Sequence, residues 1–287
     1  MIAILGGLGA ALSWAIATIC SSRSSRLIGP TSVLAWVMIV GVVITAVPAA
    51  MVPSDLPSTG DFLLLLVYGA SYTGGLLLAY RALTVGRVSI VTPIVSTEGA
   101  VAAVIAVLLG EALSLPLALT LGAIVVGVVL AGIERDPGEG SPTRLRPGDH
   151  ARIPVVLAVA AALVFGVGLV VGAKLGASVP FAWIVLSARV VGTAVIALPL
   201  IARGRLRLTR ETLPLVVVSG TLEAVGAWSY VFGAQDSIAV TAVLGAQFAV
   251  ISSLIAFALF HERLARVQVI GVAVVVAGVT VLAVLPR

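Results

Sequence analysis

The chain has 287 residues, of which 60% are hydrophobic and only 10% are charged, and its mean hydropathy is +1.22. Soluble proteins carry roughly 25% charged residues, so this composition excludes a soluble domain and predicts an integral membrane protein. The net charge of +5 would suggest a nucleic-acid partner in a soluble protein, but none is expected here because the basic residues follow the loops of a membrane topology.

Ten apolar stretches are long enough for membrane-spanning helices, which need roughly 20 residues each. In chain order, we predict helices near residues 2–20, 31–52, 62–83, 88–109, 113–133, 153–173, 181–202, 213–235, 238–260 and 264–285. The first stretch lacks the basic n-region of a cleaved signal peptide, so we expect it to be a spanning helix. The fold class predicted is an all-α integral membrane protein.

The second half of the chain repeats landmarks of the first half about 150 residues later. The matched pairs are Pro30 and Pro180, Gly41 and Gly192, Pro48 and Pro199, and Tyr80 and Tyr230. We therefore predict a first five-helix repeat at 1–133, a polar linker at 134–152 and a second five-helix repeat at 153–287. Because five is odd, the second repeat must cross the membrane in the opposite sense to the first.

The basic residues outside helix centres lie almost entirely on one side of this topology. That side holds Arg23, Arg26, Arg81, Arg87, Arg135, Arg144, Arg146, Arg152, Arg203, Arg205, Arg207, Arg210, Arg263 and Arg266, and the other holds Lys174 and Arg287. The positive-inside rule then places both termini outside the cytoplasm. The excess of Arg over Lys is typical of a high-GC bacterial genome, so we expect a multi-pass protein of the bacterial plasma (inner) membrane.

Three ionisable side chains lie near the middle of predicted helices: Glu98 in helix four, Arg189 in helix seven and Glu223 in helix eight. A charge at the centre of a membrane helix costs roughly 2.5 to 3.5 kcal/mol on insertion scales. Such groups are expected to face a water-filled cavity, to pair with one another or to be protonated. We take them as the centre of a candidate binding site for a solute or a proton.

Two interpretations of these three charges stay open. In the structural one, Arg189 forms a buried pair with one glutamate and the other glutamate stays neutral. In the functional one, a glutamate takes up and releases a proton, while Arg189 attracts an anionic group or sets the proton affinity of the carboxylate.

Other polar side chains are predicted at the level of these charges. One face of helix eight and the equivalent face of helix three, 151 residues earlier, supply Tyr68, Tyr72, Ser219, Glu223 and Tyr230. Helices four and nine supply the equivalent pair Ser96 and Gln247. Glu98 lies about 200° around helix four from Ser96, so the face that Glu98 serves stays open. Pro93 favours a kink, and we predict a hinge there.

Catalytic or metal chemistry is not indicated. Cys20 is the only cysteine, and the two histidines, His150 and His261, both lie at predicted helix ends. No spacing of nucleophile and base accompanies the carboxylates. We expect no enzyme activity, no metal and no cofactor.

Several motifs carry a resemblance to a known family. They are Ser13-Trp14, Tyr80-Arg81-Ala82-Leu83, the stretch from Val88 to Ile94, Gly110-Glu111-Ala112-Leu113-Ser114 and, in the second half, His261-Glu262-Arg263-Leu264. With ten helices and a duplication, the chain resembles an EamA-type member of the drug/metabolite transporter superfamily over essentially its whole length.

The resemblance implies a basket of two inverted five-helix repeats around a cavity bordered by helices one, three, four, six, eight and nine. Trp14 joins the candidate site on this basis. Glu111 and Glu262 match the family's Gly-Glu corner, where a capping role is expected. Relatives are usually drawn with both termini in the cytoplasm, and the charge count of this chain disagrees.

The function expected is secondary transport of a small metabolite, amino acid or drug-like solute by alternating access. Protons are the expected coupling ion, the direction expected is efflux, and the lipid bilayer is the other partner. The alternative is a non-transporting membrane sensor or scaffold with the same fold. An intramembrane enzyme is disfavoured because no nucleophile or metal constellation is present.

Overall fold

The structure is a computed structural model that describes residues 1–52, 57–85, 91, 94–131, 152–252, 255 and 266–284. The helices are α1 (Ile2–Ile28), α2 (Pro30–Met51), α3 (Thr59–Val85), α4 (Glu98–Leu108), α5 (Leu115–Ala131), α6 (Arg152–Leu175), α7 (Phe181–Gly192), α8 (Thr212–Ala234), α9 (Ile238–Gly245) and α10 (Arg266–Val284). α7 continues through a π-helical turn, Thr193–Ala197, into Leu198–Ala202. The described residues contain no strand, which agrees with the all-α prediction.

Six helices in the described part of the chain are long and apolar enough to cross a membrane. They are Ile2–Ile28, Pro30–Met51, Thr59–Val85, Ile153–Leu175, Phe181–Ala202 and Thr212–Ala234. The first continues eight residues beyond its predicted end and stops at Gly29, whose φ of 86° breaks the helix, and Pro30 then begins α2. Three shorter apolar stretches are also present: Glu98–Leu108, which is α4, Leu115–Gly127 within α5, and Ile238–Ser252, which begins with α9.

The packing of the helices repeats between the two halves. α1 lies against α8 as α6 lies against α3, and α2 lies against α8 as α7 lies against α3. α4, α5 and α2 each pack on their own counterparts, α9, α10 and α7. Each of these helix pairs therefore has an equivalent pair in which every helix is replaced by its counterpart five helices away. This is the two-repeat architecture expected from the sequence.

The two repeats interlock reciprocally where α2 crosses α7. A Cβ atom on Gly41 would lie 2.6 Å from Cδ of Arg189, and a Cβ atom on Gly192 would lie 2.6 Å from Cγ of Met38. Gly41 and Gly192 are equivalent positions, as are Met38 and Arg189. Each large side chain therefore occupies the space that the missing Cβ of the partner repeat leaves.

The fourth helix of each repeat is interrupted at the same level. The backbone N–H of Thr97 donates to the carbonyl of Ile94 at 3.1 Å, and that of Gln247, 150 residues later, donates to the carbonyl of Leu244 at 3.1 Å. These are tight turns within the predicted helices. The prediction that Glu98 lies in the middle of a continuous helix is therefore wrong, because Glu98 is the first residue of α4.

The ends of the helices differ in chemistry. At the end that we call the Arg-rich end, Arg23 approaches Glu211 to 3.6 Å and the indole N–H of Trp36 donates to the carbonyl of Arg207 at 2.9 Å. At the opposite end, Asp236 accepts from the backbone N–H of Ala3 at 3.1 Å. We call this opposite end the sealed end, because neither of the two cavities described below has a wall residue there.

Candidate functional site

A cavity of about 90 Å³ lies between the two repeats. It is lined from α1, α3, α4, α6 and α8, and from the chain just before α4 and just after α9. Its walls are Trp14, Thr18, Tyr68, Tyr72, Leu76, Ala79, Tyr80, Leu83, Val91, Val95, Glu98, Phe165, Gly168, Leu169, Glu223, Ala227, Tyr230 and Phe248. The six helices that the family resemblance implies as the cavity border all contribute.

Glu98 presents its carboxyl group to this cavity. The side chain is buried, with only 5% of the residue exposed, and it stands in the first turn of α4. Within the described part of the chain the carboxyl makes no hydrogen bond or ion pair, although it lies within electrostatic range of Glu223. The positive end of a helix dipole favours an anion in the first turn, and the cavity leaves room for a partner of the carboxylate that is not part of the chain.

Glu223 has protein partners. The hydroxyl of Tyr72 donates a hydrogen bond to Oε2 of Glu223, and Nη2 of Arg189 donates to the hydroxyl oxygen of Tyr72 at 3.1 Å. Tyr72 and Glu223 are equivalent positions of the two repeats, so each lies near the pseudo-twofold axis and meets its own counterpart. Tyr72 thus connects the cation to the carboxyl group.

Arg189 does not line the cavity. It is completely buried, its guanidinium carbon stacks 4.5 Å from the centre of the Tyr72 ring, and it is not one of the wall residues. Among the described residues, no hydrogen-bond acceptor meets its Nε or Nη1 atom. Of the two glutamates, Glu223 is therefore the one linked to Arg189, and Glu98 is not.

Aromatic rings form much of the cavity wall. Trp14 and Tyr230 lie with ring centroids 6.1 Å apart, Tyr68 and Tyr72 also 6.1 Å apart, and the ring of Phe165 meets that of Tyr72 edge-on at 6.2 Å. Such spacings are typical of favourable aromatic pairs. The hydroxyl of Tyr230 donates a hydrogen bond to the carbonyl of Leu169 at 3.1 Å. This wall therefore presents ring faces and edges more than free polar groups.

Besides Arg189, three more predicted site residues lie outside the cavity wall. The hydroxyl of Ser219 contacts that of Ser21 at 2.5 Å, the amide of Gln247 donates to the carbonyl of Val243 at 3.0 Å, and Ser96 is buried in the turn before α4. These contacts are within or between helices, so the three residues serve packing in this conformation. Pro93, the predicted hinge, lies outside the described residues.

Three aromatic wall residues were not predicted to belong to the site: Tyr80, Phe165 and Phe248. Phe165 could have been found by the repeat, because it is 151 residues from Trp14. The structure shows the same relation in packing, since the indole of Trp14 lies over Gly226 as the ring of Phe165 lies over Gly75. Tyr80 carried a comparable signal, because the repeat pairs it with the predicted site residue Tyr230. Phe248 carried none, because an isolated aromatic residue in a membrane helix most often packs against lipid or protein.

A second cavity of about 240 Å³ adjoins the first at the Arg-rich end. The two share Thr18, Tyr80 and Leu83 as wall residues. Hydroxyl groups dominate the remaining wall, with one exposed cation; its residues are Ser21, Ser22, Ser25, Arg26 and Thr84. We call this second cavity the vestibule, and it provides a polar route from the Arg-rich end towards the central cavity.

Glu111 stabilises the sealed end, as its predicted capping role requires. Its Oε1 atom accepts a hydrogen bond from the hydroxyl of Ser237 at 2.6 Å, and its carboxylate also accepts from the backbone N–H of Ala239. Ser237 is the N-cap of α9. Glu111 thus ties the corner after α4 to the N-terminus of the equivalent helix in the other repeat. Glu262 lies outside the described residues.

We expect Glu111→Ala to lower the stability of the purified protein by about 1 kcal/mol, the usual value of a lost helix cap. The measurement is the apparent melting temperature in detergent. Glu211→Ala is the matched control, because that glutamate is exposed and its ion pair with Arg23 contributes little. Equal melting temperatures for the two variants would show that the Glu111 cap is not stabilising.

The residues described show no group of three or more His, Cys, Asp or Glu side chains that could hold a metal ion. The site therefore consists of carboxyl groups, aromatic rings and hydroxyl groups. These can bind a solute or carry a proton.

Comparisons with known proteins agree with the geometry. The profile of the EamA-like transporter family matches the chain in two parts, residues 1–133 and 152–284. One solved crystal structure has the same fold, with a TM-score of 0.79 at 18% sequence identity, over 98% of this chain and 96% of the other. A comparison with curated proteins found no significant match.

Proposed function

Since the chain belongs to the EamA-like transporter family, we propose that it is a secondary transporter that moves a small solute by alternating access and couples this movement to protons. In this proposal ten helices form two inverted repeats, 1–133 and 153–287, joined by the linker 134–152. The members of this family are membrane transporters of small solutes. The transport mechanism, the coupling ion and the direction of transport are part of the proposal, and the following observations support them.

The central cavity supports alternating access because the two ends of the protein differ. From the level of Glu98 the cavity continues past Tyr80 and Leu83 into the vestibule. At the other end, Asp236 binds Ala3 and Glu111 binds Ser237. A cavity at the repeat interface that is approached by a vestibule from one end only, among the cavities described, is the geometry of one state in such a cycle. Rocking one repeat against the other would exchange the roles of the ends.

The carboxyl groups of the cavity support proton coupling. A carboxyl at membrane depth can hold a proton or another cation as its partner, and Glu98 faces the cavity without a protein partner in the described part of the chain. A single carboxyl that serves the solute and the proton in turn couples their movements. Glu223, which is hydrogen-bonded to Tyr72, is placed to tune this exchange electrostatically.

Efflux across a bacterial plasma membrane is the direction and place that we propose. By the positive-inside rule the Arg-rich end faces the cytoplasm, and the vestibule opens at that end. The solute would then enter from the cytoplasm, and protons entering the cell would drive it out.

The alternative of a non-transporting sensor or scaffold requires interior charges that are fully paired. The chain of contacts from Arg189 through Tyr72 to Glu223 has this character. Glu98 does not, because a scaffold gains nothing from a buried carboxyl that faces an open cavity. The position of Glu98 therefore favours transport.

Transport by the purified protein in liposomes tests the proposal. A thermal-shift screen of metabolites first identifies a solute, because a ligand that binds the folded state raises the melting temperature. We expect that solute to accumulate against its gradient when a pH gradient is imposed. Dissipating the pH gradient with a protonophore should stop the accumulation.

Protein-free liposomes and heat-denatured protein are the controls for leakage. A ligand that stabilises the protein but does not cross the bilayer, with or without a pH gradient, would contradict transport and support the sensor. Movement that ignores the pH gradient would contradict proton coupling alone.

A further inference from the structure

We propose that the solute is a monovalent organic cation with an apolar body, held by the Glu98 carboxylate within the aromatic wall of the central cavity. The inference rests on the proposed function in one respect, that the cavity between the repeats is the transport site. It goes further by assigning a charge class to the solute and a separate role to each of the two glutamates.

The charges around the cavity define the class. Its described wall residues include two acidic side chains, Glu98 and Glu223, and no basic one. Arg189 is not a wall residue and is linked to Glu223 through the Tyr72 hydroxyl. With both carboxyl groups ionised, the three side chains sum to a charge of minus one. One positive charge on the solute restores neutrality in a region where an unbalanced charge is costly.

The position of Arg189 argues against an anionic or zwitterionic solute. The Arg189 guanidinium is fully buried and stacked on Tyr72, and the exposed Arg26 lines only the vestibule. A carboxylate or phosphate on a solute would find no basic side chain among the described wall residues of the central cavity. The cavity therefore offers a solute two anionic groups and no accessible cationic one.

The aromatic wall complements an organic cation. Trp14 and Tyr230 on one side, and Tyr68, Tyr72 and Phe165 on the other, supply ring surfaces. A cation within about 6 Å of such ring centres is attracted by their quadrupoles, and the attraction increases when water is excluded. An apolar substituent gains in addition from burial against the rings. A small inorganic cation would not use this surface, whereas an alkyl- or arylammonium ion would.

Protons compete with such a cation for Glu98. The titratable groups that line the cavity together with Glu98 are Glu223 and Tyr230 on α8 and Tyr68, Tyr72 and Tyr80 on α3, and Arg189 on α7 donates a hydrogen bond to Tyr72. A protonated Glu98 carboxyl is neutral and does not attract a cation as the carboxylate does. The affinity for a permanently charged solute should therefore fall as the pH is lowered, and each binding event at low pH should release a proton.

Benzyltrimethylammonium is the probe that tests the inference. It cannot lose its charge, and replacing its nitrogen by carbon gives neopentylbenzene, an uncharged molecule of the same shape. Binding to the purified protein in detergent is measured by calorimetry between pH 5 and 9, with benzenesulfonate as the anionic counterpart. We expect the ammonium ion alone to bind, with an affinity that falls by about tenfold or more in Glu98→Gln and loses its pH dependence there.

Glu211→Gln is the matched variant, because it removes an exposed carboxyl without touching the cavity. It should bind the ammonium ion like the unchanged protein. Equal binding of the ammonium ion and neopentylbenzene, stronger binding of benzenesulfonate, or unchanged affinity in Glu98→Gln would each overturn the inference. None of these outcomes affects the proposed function, which fails instead if the bound cation is never moved across the liposome membrane.

Discussion

The variant Glu98→Gln is expected to abolish the proton dependence of solute movement while leaving the protein folded. Gln has nearly the same size, so the packing of the neighbouring Gly99 against α9 is preserved, but an amide cannot take up and release a proton. Coupling energies between two ligands are typically 1 to 3 kcal/mol, which corresponds to about 5- to 150-fold. A loss of pH-driven accumulation in this range, measured in liposomes, is the expected result.

The same experiment on Glu223→Gln examines the second carboxyl. The amide oxygen of the new side chain would still accept the hydrogen bond of Tyr72, but the substitution would leave Arg189 without a negative partner. We expect the proton dependence of this variant also to be lost. Glu211→Gln, at the exposed end of α8, should transport normally. Unchanged proton-driven transport in both cavity variants would remove the carboxylate mechanism.

The variant Arg189→Met is expected to give the largest loss of stability in this chain. Met is the residue at the equivalent position of the first repeat, where Met38 packs beside the missing Cβ of Gly192 as Arg189 packs beside that of Gly41. The substitution removes the cation that is linked to Glu223 through Tyr72. Removing one partner of a buried charged pair costs about 3 to 5 kcal/mol, which the apparent melting temperature should report.

The double variant Arg189→Met with Glu223→Gln separates charge from packing. If the cost of Arg189→Met comes from the unpaired glutamate, removing that charge should restore most of the lost stability. Arg203→Met, an exposed arginine beyond α7, should change stability by less than about 0.5 kcal/mol. Additive losses in the double variant would show that Arg189 stabilises the fold by packing alone.

The meeting of Tyr72 and Glu223 was predictable from the sequence because it follows from symmetry. Both residues occupy the same position in their repeats, and two such positions near the pseudo-twofold axis must approach each other. The same logic relates Trp14 to Phe165 and Met38 to Arg189. The offset between the two repeats, established from matched glycines and prolines, is sufficient to predict that these residues are equivalent.

The positions of Gln247 and Arg189 relative to the cavity could not be predicted in this way. Hydropathy does not reveal the turns at Thr97 and Gln247, which reset the direction of the side chains that follow. Gln247 therefore points back to the carbonyl of Val243, and Glu98 begins a helix when it was expected in the middle of one. The position of Arg189 relative to the cavity depends on the direction of its side chain between two packed helices. The periodicity within one helix does not determine that direction.

The reciprocal contact of Met38 with Gly192 and of Arg189 with Gly41 has an evolutionary consequence. In a dimer of two identical five-helix subunits, any substitution at this position appears twice, so one arginine would bring a second arginine into the membrane interior. Joining both halves in one polypeptide removes that restriction, and a single charge can arise opposite an unchanged methionine. A chain whose two repeats differ in sequence can thus hold a buried cation on one side of its axis only.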